Sequence, residues 1–244
     1  MSEWMGAAGA GLLAGGALLL GAVIAWFVSV PPRVLAAVMA FGSGVLISAL
    51  AFDLVGEAVT EAGLVPVTFG FATGAIVYVA FNVFLDHIDA RNRSDKHTEG
   101  PGTGTGIAVG ALLDGVPESM ALGLSMLGGR GVSIPILVAI FISNIPEGLG
   151  STAEMKAAGK PARFVFGMWG GIAAAAALSS LVGFTVLADA PVEVTGFITS
   201  LAAGAMLAMI CDTMIPDAFR RAGNYTGLVA TMGFLTSFLV HQLA

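Results

Sequence analysis

Long apolar runs dominate this chain, and they leave it few ways to fold. Eight runs, roughly 6–28, 34–58, 65–88, 104–127, 132–155, 162–188, 193–219 and 224–243, each match the thickness of a bilayer's hydrocarbon layer. A spanning helix needs about 20 apolar residues. No water reaches that layer to satisfy backbone amides, so only helices and closed barrels cross it, and runs of this length select helices. The expectation is an all-α polytopic membrane protein, eight transmembrane helices forming a single domain over residues 1–244. Composition agrees: 57% of residues are apolar and 11% charged, against about 25% charged in an average soluble domain.

The connections set the topology. Most are short, so sequence neighbours should pack antiparallel. The stretch about 89–103 is long and polar, and reads as a flexible, solvated loop in which His97 has no special part. Arg33, Arg91, Arg93, Lys96, Lys156, Lys160, Arg163, Arg220 and Arg221 fall in or beside loops one, three, five and seven, with Arg130 alone on the other side. Basic residues concentrate on the cytoplasmic side of membrane proteins. Both termini are therefore expected to be extracytoplasmic, in a plasma or inner membrane. The Met1-Ser2-Glu3-Trp4 start lacks the basic region of a cleavable signal. Cys211 is the only cysteine, which excludes an intrachain disulfide and a thiolate metal cluster.

Two motifs place acid deep in the apolar runs: Asp114-Gly115-Val116-Pro117-Glu118-Ser119 and Ser143-Asn144-Ile145-Pro146-Glu147-Gly148. A carboxylate at midspan costs on the order of 3 kcal/mol even on lenient insertion scales. Asp114 and Glu118 share a helix face, as do Ser143 and Glu147, because residues four apart are neighbours on a helix. Like charges that close are tolerated when a cation lies between them or one keeps its proton. Each proline frees the carbonyl four residues before it and is expected to kink or break the helix. Carboxylates and freed carbonyls are oxygen ligands, so these two helices are expected to face each other across a metal ion. Asn144 and Ser143 add to the ligand set.

Further acids suggest a path. Phe41-Gly42-Ser43-Gly44 leads to Asp53 and Glu57, and Leu201-Ala202-Ala203-Gly204 leads to Asp212 and Asp217. Gly44 to Glu57 and Gly204 to Asp217 are equally spaced, while Asp53 and Asp212 differ by one position. The second and seventh helices run in opposite senses, so the pattern reads as three helices, a central pair, and three more of inverted topology. Interrupted helices at the midplane of such a repeat are a transporter pattern. Asp53 and Glu57, with Glu61 beyond, would gather cations at the outer mouth. Asp212, Asp217, Asp86 and His87 would receive them inside. His241 reads as interfacial, and most of the 34 glycines as packing residues that let helices approach closely.

With those motifs in view, the chain resembles the ZIP (Zrt/Irt-like) family of divalent-metal transporters. The likeness covers nearly the whole chain and rests on the two Pro-Glu motifs together. The family's helix-four pattern is close to His-Asn-x-Pro-Glu-Gly. Here Asp114 and Gly115 replace the first two residues, and Ser143 opens the second motif. Some prokaryotic members carry a further glutamate in helix six; Trp169-Gly170-Gly171-Ile172 carries none. The resemblance implies import of a divalent metal into the cytoplasm through one site built from Asp114, Glu118, Asn144 and Glu147. It also implies an elevator or rocking motion and, in many members, a homodimer. No organic cofactor or nucleic acid is expected; the metal is cargo. Oxygen ligands without imidazole suit Mn²⁺ and Fe²⁺, and carboxylates also accept Zn²⁺; Cd²⁺ is a further candidate. Two rival readings are a metal-binding sensor that passes no ions and an intramembrane metallohydrolase. The second would want histidines at midspan, and none stands there.

Overall fold

The computed structural model describes residues 3–95, 104–129 and 131–243. Within them the chain is helical, with no strand. Eight long helices follow in order: α1 (Glu3–Phe27), α2 (Pro32–Ala62), α3 (Leu64–Asp95), α4 (Gly104–Leu124), α5 (Ile134–Ala157), α6 (Ala162–Val186), α7 (Val192–Arg220) and α8 (Thr226–Leu243). Among the described residues, seven helices are long and apolar enough to cross a membrane: α1, α2, α5, α6, α7, the Leu64–Leu85 part of α3 and the Gly223–Leu243 segment that contains α8. This is a multi-pass membrane protein.

Local chemistry explains the helix ends. Pro31-Pro32, Pro161 and Pro191 open α2, α6 and α7, where a missing amide costs nothing. The Ser133 hydroxyl caps α5, accepting from the Ile136 amide. Gly63 closes α2 and Gly159 follows α5, both at positive φ, 83° and 74°, which side chains disfavour. One boundary moves. The polar stretch expected as loop from Asp89 is helix as far as Asp95. Nothing between Asp89 and Asp95 breaks a helix; the first glycine is Gly100. A charged segment can leave the bilayer as a solvated helical extension. His97 and Arg130 lie outside the described residues.

A second difference concerns where the helices are irregular. Breaks were expected at Pro117 and Pro146, yet both prolines lie inside continuous α-helix. A proline removes one bond of the ladder, and neighbouring helices can re-satisfy what it frees. Close to Pro117, Ser179 of α6 donates to the Val116 carbonyl at 2.8 Å, tying α4 to α6. The real irregularities are two π-helical segments, Leu50–Gly56 in α2 and Ile210–Met214 in α7. They hold Asp53 and Asp212. Such segments are rare and concentrate at functional sites.

The helices are stitched in pairs by glycines. A methyl group on Gly44 would strike the Ala230 carbonyl, and one on Gly233 would strike that of Phe41. The same two-way contact recurs between Gly204 and Gly74, through Phe71 and Leu201. It recurs between Gly21 and Gly148, through Ile145 and Leu18, and between Gly123 and Gly183, through Ser180 and Met120. In each pair one glycine meets the carbonyl three residues before the other. The four crossings are α2 with α8, α3 with α7, α1 with α5 and α4 with α6. α1 also packs along α6, while α2 meets α5 and α4 meets α7. The main apolar core, including Leu46, Leu50, Leu122, Ile136, Ile140, Met206 and Ile210, fills the space where α2, α4, α5 and α7 converge.

Candidate functional site

Helical spacing builds one wall of a cavity. Ser143, Glu147, Gly150, Ser151 and Glu154 follow one another at intervals of three, four or one along α5, so they share a face. All five line a cavity of about 370 Å³. The facing wall is α7, with Met209, Asp212, Thr213, Met214, Asp217 and Arg220; Met39 of α2 and Gly110 and Ala111 of α4 complete it. The cavity opens toward the ends of α5 and α7, where Glu154 and Arg220 are exposed. Arg220 forms an ion pair with Asp217 at 2.6 Å.

Several polar side chains of α5 and α4 are fully buried. Ser143 is 2% exposed and Asn144 3%. On α4, Glu118 is 1% exposed and Ser119 2%. The Ser143 hydroxyl donates to the Ile140 carbonyl at 2.9 Å. Asn144 donates through Nδ2 to the Ala14 carbonyl of α1 at 3.0 Å. That bond leaves the amide oxygen, the atom a cation would need, uncommitted to α1. Behind the wall, the buried Trp169 indole donates to the Thr152 hydroxyl at 2.8 Å. The bond ties α6 to α5.

A smaller cavity, about 60 Å³, lies at the opposite face. Asp53, Glu57 and Glu61 of α2 line it with Ser125, Thr195 and Thr199. Asp53 is 7% exposed, and His241 Nδ1 lies 2.7 Å from its Oδ1. Phe52 packs against the His241 ring with centroids 5.7 Å apart. Leu122 stands one turn beyond Glu118, and Ile140 and Ile136 stand beyond Ser143. The apolar core therefore separates this cavity from the buried carboxylate.

The expected residues are distributed as follows. Ser143, Glu147, Asp212 and Asp217 come together around the larger cavity. Asp53 and Glu57 come together at the smaller one. Asn144 is buried beside the first but not among its described lining residues. His87 is exposed on α3, its ring bonded to the Val83 carbonyl of its own helix at 2.8 Å, and is not among the described residues of either cavity. Asp114 and Asp86 lie on α4 and α3; their side chains lie outside the described residues. Among the described residues no three His, Cys, Asp or Glu side chains form a metal-binding group. The chemistry available is that of scattered oxygens: carboxylates and hydroxyls lining an open cavity.

Sequence reasoning missed three participants. Glu154 is two turns beyond Glu147 on the same face, a signal available in the spacing. Arg220 was read only as an interfacial charge. His241 was read as interfacial, but it bonds Asp53; nothing local in α8 announces that partner, which comes from tertiary packing.

No family model matches this sequence. A curated protein of Arabidopsis thaliana named "Putative zinc transporter" is 28% identical over 207 residues, covering 83% of this chain. The chain spans 33% of the length of that protein.

Proposed function

We propose that the protein carries a divalent metal ion across its membrane, into the cytoplasm, through the space between α4, α5, α2 and α7. One observation carries the reading most directly. Acids on two helices, Glu147 and Asp212, line a single open cavity, and Glu118 of α4, a helix that also borders the cavity, is fully buried. A carboxylate so placed in a bilayer is a functional-site expectation in itself, because its cost must be offset by a cation or a proton. In this reading Glu118 and Glu147, with Asp114, Asn144 and Ser143, bind the ion. Asp53 and Glu57 gather it outside. Asp212 and Asp217 release it, and Glu154 joins them. Asp86 and His87 remain candidates for a later step.

The packing supports the arrangement of three helices, a pair, and three inverted helices. Exchanging α1 with α6, α2 with α7, α3 with α8 and α4 with α5 maps each glycine crossing onto another. It maps one π segment onto the other. In this register Glu118 matches Ser143 rather than Glu147, so the two Pro-Glu motifs sit one helical turn out of step. The acids then accumulate on the side of the larger cavity. The basic residues point to that side as cytoplasmic, so the structure corresponds to a state open inward. The similarity to a protein named as a zinc transporter favours zinc among the cargoes; the oxygen-only donor set favours a wider range that includes manganese.

Zinc and manganese flux into proteoliposomes tests this. Flux in the wild type, lost in both Glu118→Gln and Glu147→Gln, is the expected result. Metal binding with no flux in the wild type would favour the sensor and end the proposal.

A further inference from the structure

The outer ends of α2 and α8 are held together by one polar bond set among aromatic rings. Phe234, Phe238 and His241 follow at intervals of four and three, so they share a face of α8. That face meets the π segment of α2. The Phe52 ring centre lies 6.1 Å from that of Phe234, 5.2 Å from Phe238 and 5.7 Å from His241. Its neighbour Asp53 takes the bond, with Oδ1 2.7 Å from His241 Nδ1. A carboxylate only accepts, so the nitrogen carries the hydrogen. The Asp53 side chain is 6% exposed and the His241 side chain 28%, so the imidazole reaches the surface and the acid does not. The second oxygen of the acid, Oδ2, is buried with no hydrogen-bond partner among the described residues. Asp53 lines the smaller cavity with Leu54, Ser125, Thr195 and Thr199.

We infer that His241 is a gating residue for the transported ion: its imidazole occupies Asp53 while the outer half is shut, and an incoming divalent cation takes its place. This deepens the translocation reading and rests on it. The physics is exchange of one partner for another at a buried acid. An imidazole N–H satisfies one oxygen and leaves Oδ2 orphaned, a cost that the closed arrangement carries. A divalent ion can engage both oxygens and supplies the opposite charge that favours an ionised carboxylate. Once the imidazole is displaced, the polar tie between α2 and α8 is gone and ring contacts alone hold their outer ends. Arrival of the ion at Asp53 thus loosens the contact beside the smaller cavity, and its departure lets His241 return. His241 acts through Asp53 and not on the ion, as a positioning residue.

The test uses the full chain with Cys211→Ser and Leu54→Cys in proteoliposomes, and manganese as the probe because thiols suit it poorly. Labelling by a membrane-impermeant thiol reagent and manganese flux are measured together. With His241 intact, saturating manganese is expected to raise the labelling rate about threefold, the scale of one hydrogen bond. His241→Phe keeps a ring against Phe52 but lacks the donor. Its labelling is about threefold higher without manganese, manganese adds nothing, and KM for manganese falls about threefold. Asp53→Asn keeps an acceptor for His241 but lacks the charge, so labelling stays low with and without manganese. A residue that only braced α8 would leave the response to manganese in place. A His241→Phe chain that still responds, a chain with His241 intact that does not, or high labelling in Asp53→Asn overturns the inference. Wild-type vesicles that bind manganese and move none would instead overturn the translocation reading.

Discussion

The two π segments hold related acids in opposite circumstances. Asp53 is buried, bonded to His241 and shielded by Phe52, beside a cavity of about 60 Å³. Asp212 is exposed, beside a cavity of about 370 Å³. The backbone device is the same in both helices, so it does not decide which side is open. What decides is packing around it. Leu50 and Leu54 close on Asp53 from its own helix, whereas Asp212 looks across an open space toward the Ser143–Glu147 face of α5. A related local structure can thus border a tight cavity and an open one.

The largest expected effect tests whether the acids at the end of the open half do the work. Glu118→Gln or Glu147→Gln should each lower metal flux by about 100-fold or more, the scale at which losing a metal-site group is felt. Equal loss on Asp53→Asn, with Glu147→Gln near normal, would reverse the comparison. Next in size is the fastening of the two halves. A side chain at Gly44 or Gly204 must push a neighbouring backbone away, so Gly44→Val and Gly204→Val should each destabilise by about 2–3 kcal/mol, read as a fall in the detergent melting temperature. A drop confined to one of them would show that the two crossings are not equivalent.

Accessibility comes third. In a chain with Cys211→Ser, Thr213→Cys should react with a membrane-impermeant thiol reagent about tenfold faster than Leu54→Cys, since exposure governs such reactions. Equal rates would mean the two halves are equally open. The smallest expected effect concerns the histidine contact beside the smaller cavity. His241→Ala leaves a buried carboxylate oxygen without that bond, and labelling of Leu54→Cys should rise about threefold. No change would assign the closure to the apolar packing alone.

Much of the fold was readable because hydrocarbon imposes a length and an apolar composition on each helix. The cavity wall was partly readable too: Ser143 and Glu147 stand four apart, and their pairing on one face needs only helix geometry. The irregular segments were misplaced for a physical reason. Proline advertises a break in sequence, but α4 and α5 run through Pro117 and Pro146 as continuous helix. A π segment adds strain without any residue that announces it; only the one-position slip between Asp53 and Asp212 hinted at it. His241 escaped for a related reason, since its partner lies 188 residues away in sequence.

The four reciprocal glycine crossings have a mechanical consequence. Where two backbones are laced that tightly, sliding is blocked, because each carbonyl is lodged against the other helix. Among the described residues, the junctions of α2 with α5 and of α4 with α7 carry no reciprocal crossing; Gly42 of α2 approaches the Ser143 backbone of α5 from one side only. Compliance in this bundle is therefore concentrated along those two seams, and any shear along them is delivered to the larger cavity that α2, α4, α5 and α7 border.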